Sequence, residues 1–205
     1  MKPSTNHQFA PAPAAGRWRR RSWLGAVWAG GFWLLLMPLL DRAADSPVAL
    51  EYKVKAGYLF NFGKFVEWPA ASLPASNSVL VIGVLDGSEA FPIIQELLQD
   101  KSVNGHPVQV RAVSAVSSET GCHILFVTRS AGRSPGELIV ALGGSATLLV
   151  GETGGFAEKG GMIGFVREQE SFRLTLNLEA AEKAGLKVSS KLARVARVGK
   201  RGAAP

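Results

Sequence analysis

Downstream of residue 45 the hydrophobic positions change their period several times, and each change marks an element. Val48, Tyr52, Ala56, Leu59, Phe62 and Val66 recur at three- and four-residue steps, the spacing of one helix face. Ser46-Pro47 opens this helix as a cap followed by proline at the first helical position. Trp68-Pro69 closes it, because the residue before proline is pushed out of the helical region. After a loop over 73–77, Val79 to Leu85 is almost wholly apolar, which predicts a strand buried on both faces. Asp86-Gly87-Ser88 turns the chain into a short helix from Phe91 to Leu98, with Phe91, Ile94, Leu97 and Leu98 inward. Asn104-Gly105 breaks the chain before Val108-Gln109-Val110, which alternates like an edge strand. His123 to Thr128 and Thr147 to Val150 are further apolar runs. Between them lies a helix from Pro135 to Leu142, stopped by Gly143-Gly144.

The final third reads differently. Met162 to Arg167 and Ser171 to Asn177 flank Glu168-Gln169-Glu170, and Phe172, Leu174 and Leu176 alternate with polar residues. That is an antiparallel hairpin with one wetter face. Ala180 to Ala184 is helical and ends at Gly185. Ser189-Ser190 caps a last helix with Leu192, Val195 and Val198 inward. Strand and helix alternate, with no repeat and no interdomain linker. The predicted fold is α/β: a single domain over 45–198, a mixed central β-sheet flanked by α-helices, and a C-terminal antiparallel hairpin. Residues 199–205 are expected to form a disordered tail.

The first 44 residues follow another logic. Arg17, Arg19, Arg20 and Arg21 precede 18 uncharged residues, Trp23 to Leu40. A positive cluster ahead of an apolar segment stays on the cytoplasmic side, so the downstream chain is exported. Pro38, Ala43 and Ala44 suit a cleavable signal peptide. The apolar length also suits a retained membrane anchor, and Arg42 sits where a cleavage site wants a small residue. Either way the domain lies outside the cytoplasm, and its only membrane contact is through an uncleaved leader.

Removing the leader changes the charge picture. The whole chain carries a net +7, but six basic residues and one acidic residue precede Asp45, leaving 17 basic against 15 acidic. That balance gives no reason to expect a nucleic-acid partner. The basic run Lys191, Arg194, Arg197, Lys200 and Arg201 reads as a solvated helix face. With the single cysteine Cys122, no intramolecular disulfide can form. The domain therefore rests on its core, which a chain of about 160 residues can supply.

Candidate chemistry is sparse. His7, His106 and His123 are scattered, with no metal-ligand spacing, and no cofactor motif is present. Cys122 and His123 are adjacent, so on a strand they point to opposite faces and cannot pair as nucleophile and base. Glu67, Asp86, Glu89, Glu152 and Glu158 lie near loops with no pairing legible. Gly151 to Gly161 is glycine-rich, as an anion-binding loop would be. It lacks the P-loop lysine-hydroxyl ending and leads into a strand, so turn glycines are the plainer reading. Tyr52, Tyr58, Phe60, Phe62, Phe65 and Trp68 exceed what one helix face needs; core packing accounts for most of them, and an excess would suit a partner-facing patch. No catalytic set is visible, and the chain is not read as an enzyme.

Four strings, in order, carry a resemblance: Lys55 to Pro69, Cys122 to Phe126, Gly155 to Phe165, and Asn177 to Ala181 with Gly185 to Leu192. Together they resemble the signatures of the YfiR-like family of exported proteins over about residues 50–198. The resemblance implies a periplasmic protein with a central sheet and flanking helices, often a homodimer. It implies a regulator that represses an inner-membrane diguanylate cyclase, or a related sensor kinase, by binding its periplasmic part. The type member's disulfides have no counterpart here. By their order along the hairpin and the helical segment after it, Phe165, Glu179 and Leu186 are the candidate partner contacts. The alternative is a periplasmic small-ligand binding module feeding another receptor or transporter.

Overall fold

The computed structural model describes residues 46–74, 78–169 and 171–198; the leader and the tail from 199 lie outside the described residues. Helix α1 spans Pro47–Phe65, capped by the Ser46 hydroxyl, which accepts from the Ala49 N–H at 3.1 Å. It ends three residues before Trp68, because Val66–Glu67 (β1) leaves to pair antiparallel with Lys187–Val188 (β9). Its buried face begins at Lys55, with Tyr52 half-buried against the core, while Val48 is exposed. Among the described residues no helix is long and apolar enough to cross a membrane.

The sheet is built from Leu80–Leu85 (β2), Ser102–Val103 (β3), His106–Val113 (β4), Ile124–Val127 (β5), Leu148–Gly151 (β6), Ile163–Glu168 (β7), Ser171–Leu176 (β8) and Arg197–Val198 (β10). Their order is β10-β8-β7-β6-β5-β2-β4-β3. Strands β4, β2, β5, β6 and β7 run parallel; β8 pairs antiparallel with β7, and β3 with β4. The expected mixed α/β sheet and C-terminal hairpin are both present. Strands β2, β5 and β6 are buried at every position, as strands covered by helices on both faces must be.

Two helices make the parallel crossovers: α2 (Ala90–Leu98) joins β2 to β4 by way of β3, and α3 (Pro135–Leu142) joins β5 to β6. The connections run in opposite directions from β2, so right-handed crossovers put α2 and α3 on opposite faces. α1 packs against α2. α3 starts in a capping box of Ser134 and Glu137 and stops at Gly143 in the left-handed conformation.

Two inward assignments fail on these short helices. In α2 the buried line is Ala90, Ile94 and Leu98, four residues apart, which turns Leu97 toward solvent. In α5 (Ser190–Val195) Leu192 is buried, and so is Ala196 just beyond it, whereas Val195 is 70% exposed. A six-residue helix offers the core too narrow a stripe for both.

His123 pins the segment after α1 to the sheet. Its Nδ1 accepts from the Val81 N–H (2.9 Å) and its Nε2 lies 3.0 Å from the Ser72 carbonyl, while Trp68 Nε1 donates to the His123 carbonyl (3.2 Å). An accepting Nδ1 fixes the proton on Nε2. Burial lowers the imidazole pKa, and a proton on Nδ1 would face the Val81 N–H. The unfolded chain takes up this proton near pH 6.5 and the folded chain resists it. The His123 contribution is therefore complete above about pH 6.5 and is lost as pH falls toward the lowered folded value. Urea midpoints at pH 7.5 and 5.5 should converge in His123→Asn relative to wild type; an unchanged gap would contradict this.

Candidate functional site

The chain moves from β2 outward to β4 and then returns to β5 on the other side of β2. In open α/β sheets such a reversal leaves a crevice at the carboxyl ends of the strands, where ligands commonly bind. Here those strand ends are tied together internally. The Thr128 hydroxyl reaches the Leu85 carbonyl (2.8 Å) and the Ser130 hydroxyl the Asp86 carbonyl (2.7 Å).

The last residue of this constellation is Glu152, immediately after β6 and 5% exposed. One carboxylate oxygen accepts from the Arg129 backbone N–H (2.7 Å) and lies 3.4 Å from the Tyr52 hydroxyl. The other oxygen pairs with Lys55 of α1, whose side chain is completely buried. Lys55 also pairs with Glu51 one turn earlier, and Glu51 reaches Arg167 on β7 at 2.9 Å. The ammonium lies over three rings, 5.0 Å from Tyr52, 5.1 Å from Phe172 and 5.9 Å from Phe165. Two carboxylates and aromatic faces replace the water an ammonium gives up on burial. Burial first, then Glu152 and Glu51, pushes the Tyr52 phenol up to about 12, so it stays protonated at physiological pH. The cluster clamps α1 across the sheet end, and every charge in it has a partner.

From the sequence Glu152 is one of several acids near loops with no legible partner, and Lys55 is not singled out as a site residue. A signal for Lys55 is nonetheless present: it sits three residues after Tyr52 and four before Leu59, on the apolar face. Of the predicted partner contacts, the structure puts Phe165 (3% exposed) and Leu186 (1%) in the core. Phe165 packs edge-on against Tyr58, Phe126 and Phe172 at 5.7–6.2 Å. Neither side chain presents a surface. Phe165 lies on the inward face of the hairpin, and Leu186 folds back onto the preceding helix, its N–H donating to the Ala181 carbonyl (3.0 Å). Glu179 stands on that helix, α4 (Leu178–Lys183), 55% exposed and ion-paired with Lys183 at 2.7 Å. Much of the aromatic excess of α1 is thus absorbed by the core.

The glycine-rich segment serves two purposes, of which its composition suggests only the first. Gly155 and Gly160 do take positive φ. Gly151 and Gly161, however, lie flat against the Phe156 ring, where any Cβ would overlap it. Phe156 is 1% exposed, and the N–H groups of Phe156, Lys159, Gly160 and Gly161 donate to carbonyls within the segment rather than being left for an anion. Cys122 is likewise buried, and burial raises its thiol pKa.

Among curated proteins none matches the chain. The family described as YfiR/HmsC-like matches residues 52–197, from the Tyr52 turn of α1 to the last strand. That span takes in Lys55, Glu152 and the hairpin alike, and the chain belongs to the YfiR/HmsC-like family.

Proposed function

We propose that this protein is a periplasmic regulator that binds the periplasmic part of an inner-membrane diguanylate cyclase and holds it inactive. The observation that carries this reading is the family match across the whole described domain. The arginine-led apolar leader supports export, and the absorption of the buried charges into one structural clamp supports a binding role. Repression then needs no chemistry: the domain binds the inactive state of the cyclase more tightly than the active one. A signal that weakens the complex raises cyclic di-GMP by the same coupling.

The α4 surface around Glu179 is the contact we assign to the partner, since Phe165 and Leu186 can act only through the fold. Deleting the gene should raise cellular cyclic di-GMP, and restoring it should reverse the rise. Glu179→Arg should fail to restore repression while leaving the unfolding free energy within about 0.5 kcal/mol of wild type, as surface changes do. An unchanged cyclic di-GMP level on deletion, in a strain that carries a membrane cyclase beside this gene, would overturn the proposal.

A further inference from the structure

On the α3 side of the sheet a cavity of about 280 Å³ opens between α3, the loop at Gly144–Thr147, the end of the glycine-rich segment and α4. It is larger than the roughly 150 Å³ apolar cavity that takes up benzene, and close to the lower end of ordinary ligand pockets. Ile139, Leu142, Met162, Ala180 and Ala184 form its walls. Leu142 and Met162 are each 4% exposed, so the walls reach the core.

Two hydroxyls give the cavity a direction. Thr147 Oγ1 donates to the Cys122 carbonyl (2.8 Å) and lies 3.1 Å from Ser145 Oγ. Its single proton is committed to Cys122, so Ser145 must be the donor between the two hydroxyls. Ser145 Oγ is left with lone pairs and no free proton, able to accept a hydrogen bond but not to give one. Asn177 is engaged at both ends, its oxygen by the Ala180 N–H and its amide by the Ala157 carbonyl. At the mouth, Glu179 and Lys183 pair with each other, so an ionised ligand meets no net opposite charge there. Inside, it would lose its hydration without compensation.

We propose that this cavity binds a small neutral molecule with a hydrocarbon body of about twice benzene's bulk and one hydroxyl group. The body lies against the aliphatic and thioether walls, and the hydroxyl donates to Ser145 Oγ. Its mouth shares Glu179 with the partner surface proposed above, but ligand binding to the isolated protein is read without the partner and stands or falls on its own.

1-Naphthol is the probe, with naphthalene and 1-naphthoate as comparators. Each is titrated by calorimetry into the protein purified from producing cells in the form they accumulate. 1-Naphthol should bind saturably at one per chain, naphthalene about tenfold more weakly for want of one hydrogen bond, and 1-naphthoate not measurably. Ser145→Ala should bring 1-naphthol down to the affinity of naphthalene. Ala184→Leu should fill the cavity and abolish binding; Ile139→Trp at the part-exposed rim gives the same test if Ala184→Leu does not fold. The proposal is overturned by no saturable 1-naphthol binding, by 1-naphthoate binding as tightly, or by wild-type binding in a folded cavity-filling variant.

Discussion

Lys55→Met is expected to lower the unfolding free energy by about 3–5 kcal/mol, the cost of leaving one member of a buried ion pair without the other. The methionine keeps the apolar stem against Tyr52 and Phe172 but leaves the buried Glu152 carboxylate without its cation. Glu152→Gln should cost roughly half as much. The amide still accepts from the Arg129 N–H, and Lys55 retains Glu51. The double variant should be no less stable than Lys55→Met alone, because the second change removes the charge that the first left stranded. Urea unfolding of the four proteins measures this directly, and additive losses would show that the two residues act separately. Tyr52 provides a second readout. Its phenol titrates at about 12 partly because Glu152 is ionised beside it, so Glu152→Gln should bring the midpoint down in an absorbance titration. An unmoved midpoint would leave burial, with Glu51 and Glu89, as the cause.

Phe156→Ala should be comparably damaging, by about 3–5 kcal/mol. The ring is 1% exposed and held between Gly151 and Gly161, two backbone segments that cannot collapse onto the space it leaves. Since single domains are stable by only about 5–15 kcal/mol, this variant should be marginal at physiological temperature. The glycines supply the complementary experiment. Gly151→Ala should cost about 1–3 kcal/mol in the wild-type background by overpacking. In Phe156→Ala the same change should cost much less, because the new methyl enters vacated space. Equal costs in both backgrounds, read from denaturation midpoints at constant slope, would mean that the added methyl is opposed by something other than the Phe156 ring.

The charged clamp and the glycine-rich segment differ in how far each is legible from residue order. The signal in α1 is half-legible: apolar spacing identifies the inward face, yet a lysine on that face carries no hydrophobic weight and drops out of such a count. Glu152 follows an apolar strand and looks like the first residue of a loop. Only the fold shows that the loop turns back over it and that Tyr52 and Arg129 close around it. The glycine-rich segment stands out in the sequence, but only half of its reason is legible there, the positive φ of Gly155 and Gly160. Composition suggests freedom of φ, whereas Gly151 and Gly161 are required for the closeness of an aromatic ring. The placing of Phe165 and Leu186 at a surface rests on their order along the chain, which says nothing of which side of a hairpin or helix end meets solvent.

Local information sufficed wherever the physics is local. The caps at Ser46 and Ser189, the stop at Gly143, the apolar runs that became β2, β5 and β6, and the hairpin of β7 and β8 depend on neighbours within a few residues. The alternation of strand and helix then limits the fold to a mostly parallel sheet covered on both faces. Tertiary structure alone decided what charge and cavity would do. Lys55 and Glu152 stand 97 residues apart, and the cavity walls come from α3, the approach to β7 and α4. A buried ion pair or an apolar pocket is a property of groups brought together from distant parts of the chain. Burial also reverses the meaning of a charged residue: at a solvated loop an acid is worth little, whereas in the core the same acid must be paired for the fold to stand.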